Sequence, residues 1–174
     1  MTAATLDSLS GGRFRLGLGV SGPQVSEGWH GVRFDSPLGR TREYVDIVRM
    51  ALRRETVQYA GRHFTLPLPD GPGKALRLTV RPARGGQVPI YLAAVGPKNL
   101  ELTGEIADGW LAIFFSPEHS GDLLASLRTG AERGGRGTPQ DPMDGFEIVP
   151  NAPAGLPADL HDAHPPARQS AQPK

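Results

Sequence analysis

The chain has 174 residues, with 19 basic and 18 acidic side chains, a formal net charge of +1 and no cysteine. That length suffices for one domain with a hydrophobic core, and the interspersed charges form no basic stripe of the kind that binds nucleic acid. Without cysteine, disulfides, thiol catalysis and Cys-ligated metals are excluded. No apolar run approaches the roughly 20 residues of a membrane span and no signal peptide is recognisable, so the sequence predicts a soluble cytoplasmic protein.

The first elements predicted are a helix and a strand. Residues 2–9 have the pattern of an amphipathic helix that stops at Ser10-Gly11-Gly12. Residues 13–20 alternate between apolar side chains and two glycines, Gly17 and Gly19, as in a strand whose glycine face allows close approach.

Gly17, Gly19 and Gly22 also have the spacing of a dinucleotide-binding fingerprint. That fingerprint requires a helix that begins at the third glycine and an acidic residue after a second strand. Here Pro23 follows Gly22 directly, and no second strand precedes an acidic residue at that distance. The strand is therefore expected to end at Ser21 and Gly22 in a long loop. Such loops carry chemistry in parallel α/β folds.

That loop contains Glu27, Trp29 and His30. Glu27 and His30 could form a general acid–base pair, but a surface loop anchored by Trp29 is the favoured interpretation. No second histidine or carboxylate falls at ligand spacing, so no metal site is predicted.

The middle of the chain predicts a helix and an inserted hairpin. Residues 41–54 carry apolar side chains at helical spacing. Residues 56–59 and 62–66 predict a hairpin with Ala60-Gly61 as its two-residue turn. Residues 76–80 form a further extended piece, and His63 is expected to be an exposed hairpin side chain.

The segment from residue 88 to residue 110 predicts a strand, a turn and a helix that lead into the next strand. Residues 89–95 read as a buried strand, Gly96-Pro97 as a turn, Lys98 onward as a helix, and residues 110–115 as the next strand. Backbone N–H groups at Val95, Gly96 and Lys98 can face an anion at the helix entrance. A plain turn with nothing bound is the alternative.

Three further segments complete the prediction. Ser116 and Pro117 predict the start of a helix that runs to about residue 133. A strand over residues 145–149 follows. Residues 151–174 are rich in proline and alanine and are expected to be a disordered tail, in which His161 and His164 bind no metal.

Alternating strands and helices predict a parallel sheet covered by helices, as in barrels and open α/β sheets. Several segments in this order resemble the luciferase-like monooxygenase superfamily. Within it they most resemble the deazaflavin-dependent oxidoreductases, which are similar to methylenetetrahydromethanopterin reductase. The matching segments are residues 5–20, 29–31, 41–44, 59–65, 89–94 and 107–110.

The resemblance implies an α/β fold that is part of a (β/α)8 TIM-type barrel, with the hairpin as an insertion. Residues 1–150 would supply about the fourth to the seventh strand, so the chain is expected to be an internal piece that lacks the first three strands and the eighth. The resemblance further implies cofactor contacts near the ends of two strands. The residues expected there are Ser21, Gly22, Ala94, Val95, Gly96, Pro97 and Lys98.

The implied function is oxidoreduction in the full-length parent, with hydride passing between coenzyme F-420, a deazaflavin, and a small organic substrate. An FMN-dependent monooxygenase of the same superfamily and an inactive truncated remnant remain alternatives, as does a phosphate-binding barrel unrelated to flavins. A homodimer of the full-length parent stays open. No catalytic residue is assigned, since the family's early contacts belong to the missing strands, and Glu27 is a weak candidate.

Overall fold

The computed structural model describes residues 1–113 and 115–151, and a four-stranded parallel sheet lies at its centre. The strands are β1 (Leu16–Gly19), β2 (Tyr59–Ala60), β3 (Thr65–Leu66), β4 (Ile90–Ala93), β5 (Gly109–Ala112) and β6 (Glu147–Pro150). The sheet order is β1-β4-β5-β6, and a separate antiparallel pair joins β2 to β3.

The helices are α1 (Thr2–Leu9), α2 (Pro23–Gly28), α3 (Pro37–Leu52), α4 (Pro97–Ile106) and α5 (Gly121–Arg133), with a 3-10 turn at Pro117–His119. Helices α3, α4 and α5 cover one face of the sheet, whereas α2 has no buried residue. Two core clusters show how the helices are held. Ile90 and Leu92 of the sheet pack with Val45 of α3, and Trp110 packs with Leu100 of α4 and Leu127 of α5.

Glycines bring α4 and α5 unusually close together. A Cβ atom built on Gly104 would overlap the Leu127 carbonyl oxygen, and one built on Gly130 would overlap the Glu101 carbonyl oxygen. The two helix backbones therefore pack directly against each other, as they can only where the side chain is a hydrogen atom.

The opposite face of the sheet carries small and apolar residues. Gly17 and Gly19 of β1 lie on this face, because Cβ atoms built on them would approach Leu111 and Ala93 respectively. Ile113 is 43% exposed and Val149 is 40% exposed. In a closed barrel, inward-facing side chains of this kind form the packed interior.

The predicted α/β architecture is confirmed: every pairing within the four-stranded sheet is parallel, and α3 packs on the helical side. The strands are shorter than predicted by one to four residues, which is ordinary for element ends. The predicted disordered tail falls, apart from Asn151, outside the described residues. Within the described residues, no helix has the length and apolar character that crossing a membrane requires.

The prediction for the hairpin turn was wrong. Its strands end at Ala60 and Thr65, and the Gly61 N–H donates to the Phe64 carbonyl, so Arg62 and His63 form the tip. The Glu43 carboxylate of α3 accepts the N–H groups of Arg62, His63 and Phe64 at 2.8, 2.9 and 2.9 Å. This long-range clamp fixes the tip, and no local pattern encodes it.

Four other segments also differ from the prediction. The loop after β1 contains the short helix α2, and α3 begins at Pro37, one turn before the predicted start. The helix predicted from Ser116 is interrupted, because Ser116 makes no side-chain cap and a 3-10 turn precedes α5. Residues 76–80 join no strand; instead the Leu76 carbonyl accepts the Val57 N–H.

Candidate functional site

The residues expected to bind a cofactor lie at one edge of the sheet. In the β1–β4 ladder Gly19 pairs with Ala93, so both strands end at the same level. Ser21 and Gly22 follow β1 directly, and the segment from Ala94 to Lys98 follows β4. The structure therefore brings the two predicted groups to neighbouring positions on the carboxyl edge of a parallel sheet, where ligands of open α/β sheets bind.

The turn between β4 and α4 is open toward solvent. A Cβ atom built on Gly96 would have no neighbour within 4 Å. The Gly96 carbonyl accepts the N–H groups of Asn99 and Leu100, whereas among the described residues the Gly96 and Lys98 N–H groups donate to no acceptor. Free donors at the start of a ten-residue helix favour an anion.

Backbone strain does not explain the glycine at position 96. Its φ and ψ are −79° and 153°, an extended conformation that any residue can adopt. What the missing side chain provides is space in front of the free N–H groups. Glycine at this position therefore serves the close approach of a ligand and not a left-handed backbone.

A buried tryptophan holds the turn in place. The Trp110 Nε1–H donates to the Ala94 carbonyl at 2.9 Å, and both residues are 1% exposed. Trp110 also meets Phe115 edge-to-face with ring centroids 5.9 Å apart. Val95, the next residue, is 61% exposed. The turn thus has a rigid base and an accessible outer surface.

The Lys98 side chain lies along the helix. Its ammonium group contacts Glu101 at 3.0 Å, and Arg133 of α5 contacts the same carboxylate at 3.1 Å. Hydrogen bonds from Lys98 and then Arg133 lower the pKa of Glu101 below its ordinary value. A binding role for Lys98 at the turn therefore rests on its backbone N–H, as the sequence predicted.

Ser21 has a left-handed backbone, with φ at 60°. Few residues other than glycine adopt this conformation, and it occurs preferentially at functional sites. Gly22, by contrast, is extended. The left-handed turn at Ser21 redirects the chain from the end of β1 into α2.

The loop residues Glu27, Trp29 and His30 form no catalytic pair. The Glu27 carboxylate accepts the Phe34 N–H at 3.1 Å, which closes the loop on itself, and no hydrogen bond joins it to His30. The expectation that Trp29 anchors this loop was wrong, because Trp29 is 84% exposed. The anchoring is done by main-chain hydrogen bonds and Glu27 instead.

Asp108, which follows α4 and precedes β5, supports the other edge of the sheet. Its carboxylate accepts the Ile90 N–H at 2.9 Å and contacts Arg49 and Arg136 at 2.9 and 3.0 Å. The start of β4, helix α3 and the segment after α5 are thereby joined. Arg49 lies 59 residues and Arg136 28 residues away from Asp108 in the chain, so local sequence gives no signal for the cluster.

A second unpredicted cluster crosses the inner face near the same edge. The Arg15 guanidinium donates to the Tyr91 hydroxyl at 2.8 Å and contacts Glu147 at 3.2 Å, and the Tyr91 hydroxyl donates to Glu147. Hydrogen bonds from Tyr91 and Arg15 lower the pKa of Glu147. Burial, followed by the bond to Glu147, raises the pKa of Tyr91. Within the described residues, no three His, Asp or Glu side chains form a cluster that could hold a metal.

Comparison with solved structures agrees with this architecture. A coenzyme F-420-dependent tetrahydromethanopterin reductase from Methanopyrus kandleri aligns with a TM-score of 0.69 over 85% of this chain and 43% of its own, at 24% identity. An F-420-dependent secondary alcohol dehydrogenase aligns equally well, with a TM-score of 0.69, 23% identity and coverage of 86% and 42%. At these identities the likeness shows the fold, which here is part of a TIM-type barrel.

Sequence comparison gives the family. A Mycobacterium tuberculosis protein named as a coenzyme F-420-dependent oxidoreductase is 52% identical over 158 residues, which make up 87% of this chain and 44% of that protein. The 5,10-methylenetetrahydromethanopterin reductase of Archaeoglobus fulgidus is 30% identical over 164 residues, covering 94% and 45%. The chain therefore spans less than half the length of these relatives. The family model for luciferase-like monooxygenases matches residues 1–156, and the chain belongs to the luciferase-like monooxygenase family.

Proposed function

We propose that this chain forms the phosphate-binding edge of an oxidoreductase that uses coenzyme F-420. The observation that carries the proposal is the β4–α4 turn, where open space at Gly96 fronts free backbone N–H groups on the carboxyl edge of the sheet. The 52% identical relative is named for the same coenzyme. When bound, coenzyme F-420 would supply a hydride donor or acceptor at C5 of its deazaflavin ring.

The donor set suits a phosphate group. The N–H groups of Gly96 and Lys98 and the amino end of α4 offer positive charge without a side chain in the way. Trp110 keeps Ala94, and hence the turn, at a fixed position. Ser21 supplies a hydroxyl group and Gly22 a backbone N–H group at the end of the neighbouring strand.

In this proposal the residues of this chain bind and orient the cofactor, and none of them acts as a catalytic acid or base. Preorganised donors bind without reordering, which is the main contribution a protein makes to cofactor chemistry. Glu27 is occupied by the Phe34 N–H and is dropped as a candidate base. The substrate is proposed to be a small organic molecule; a homodimer of the complete enzyme remains part of this proposal.

The test is a fluorescence titration of the polypeptide that contains this chain with coenzyme F-420 and, separately, with FMN. Preferential binding of coenzyme F-420 is the expected result. Preferential binding of FMN would favour the runner-up, an FMN-dependent monooxygenase of the same family. Binding of neither cofactor to a folded protein would refute the proposal.

A further inference from the structure

A cavity of about 270 Å³ lies under the loop that follows α2, separate from the candidate cofactor residues. The ends of β1 and β4 form its floor, the first half of α3 forms one wall, and the hairpin tip contributes Phe64. None of Ser21, Gly22 or the segment from Ala94 to Lys98 contributes to it.

The cavity has an apolar interior. Leu18, Leu92 and Val45 line its base, and Tyr44 and Phe64 face it as a tilted aromatic pair with centroids 6.3 Å apart. Val32 in the covering loop is 53% exposed. Concave apolar sites with a few polar groups are the usual form of small-molecule sites.

The walls are held from outside the cavity. The three N–H bonds to Glu43 fix the hairpin tip that carries Phe64. Burial raises the pKa of Glu43, but these three bonds together bring it below its ordinary value. On the other side, Glu27 fixes the covering loop through the Phe34 N–H. A cavity whose walls are fixed in advance costs a ligand little ordering on binding.

The charges at the rim favour an anion. Arg33, Arg40 and Asp35 line the cavity, and Arg40 is paired with Asp35 at 2.9 Å. Among the described residues, no carboxylate lies within 4 Å of the Arg33 guanidinium. The first turn of α3, which lines the cavity at Pro37 and Arg40, contains no acidic residue. One positive charge is thus left at the entrance of an apolar cavity.

We propose that this cavity is a binding site for a small monocarboxylate with an apolar body. The apolar part would occupy the space between Leu18, Tyr44 and Phe64, and the carboxylate would accept hydrogen bonds from Arg33 at the rim. Arginine offers paired donors that match a carboxylate. The cavity lies beside the candidate cofactor residues, with Val20 next to Ser21, but none of those residues lines it, so a failure of the cofactor proposal leaves this one standing.

The test uses calorimetric titration of the full chain with octanoate, octanol and octyltrimethylammonium, which share the alkyl tail and differ in charge. Octanoate is expected to bind best. Arg33→Gln should weaken octanoate about tenfold or more, since a hydrogen bond to a charged group is lost, and should leave octanol unchanged. Arg81→Gln, a change at an exposed arginine away from the cavity, is the matched control and should have no effect.

Ser26→Phe provides a blocking variant, because Ser26 lines the cavity from α2 and its hydroxyl makes no hydrogen bond within the described residues. It should abolish octanoate binding while the circular dichroism spectrum remains that of the parent. Octanoate binding that survives Ser26→Phe in a folded protein would place the ligand elsewhere and overturn the proposal. Equal affinity for all three head groups, or no binding to the parent chain, would overturn it as well.

Discussion

Replacing Gly96 by valine tests the phosphate role of the β4–α4 turn directly. The backbone there is extended and a Cβ atom has no neighbour within 4 Å, so the variant should fold normally. Its stability should fall by about 1 kcal/mol, because Gly96 is the N-cap of α4 and valine is disfavoured there, a loss that leaves the protein folded. The branched side chain would instead occupy the space in front of the free N–H groups.

The magnitude follows from what a bound phosphate would lose. One hydrogen bond to a charged group contributes about 1.5–3 kcal/mol, which corresponds to roughly a ten- to hundredfold weaker affinity for coenzyme F-420. A dephosphorylated analogue never makes that bond, so its affinity should be nearly unchanged. The difference between the two ligands, and not either loss alone, reports the phosphate contact.

The assay is fluorescence titration of parent and variant with the coenzyme and with its dephosphorylated analogue. Thermal unfolding of both proteins controls for stability. If both ligands lose the same affinity, the turn is a structural element and the assignment of Gly96, Pro97 and Lys98 to the phosphate fails.

Three further changes test the supporting structure. Asp108→Ala should lower the free energy of unfolding by about 2–4 kcal/mol, because the buried Ile90 N–H loses its acceptor and two arginine contacts disappear. Denaturant unfolding measures this loss, and Asp70→Ala, at an exposed position, is the control. Equal effects of the two substitutions would contradict the reasoning. The pKa of Glu43 lies below its ordinary 4.5, so its stabilising effect on the hairpin tip is present at higher pH and is lost as the pH falls through that lowered value. Amide NMR shifts of the tip should report the transition, and Glu43→Gln should eliminate it. Gly130→Ala should reduce the melting temperature, because its methyl group overlaps the Glu101 carbonyl by more than side-chain motion can relieve, whereas Gly121→Ala, with open space around it, should not.

The sequence by itself determined the parallel α/β order and predicted that the candidate residues follow two strand ends. Both follow from local sequence patterns, namely the apolar runs that become β4 and β5 and the Gly96-Pro97 pair that separates strand from helix. A parallel order places all strand ends on one edge, and the family resemblance assigned Ser21 and Gly96 to the ends of two such strands; their role in binding stays a prediction. The resemblance to the luciferase-like family rested on the same segments and is confirmed.

Only the tertiary structure decided which side chains support that edge. Asp108 acts on Ile90, Arg49 and Arg136, and Glu43 acts on a hairpin about 20 residues away. Each carboxylate would read locally as an ordinary charged surface residue, because sequence spacing encodes secondary structure and not the partners that packing brings together. The same holds for Trp29: the sequence indicates a large aromatic side chain that ought to be buried, and it is exposed because main-chain bonds and Glu27 close its loop without it.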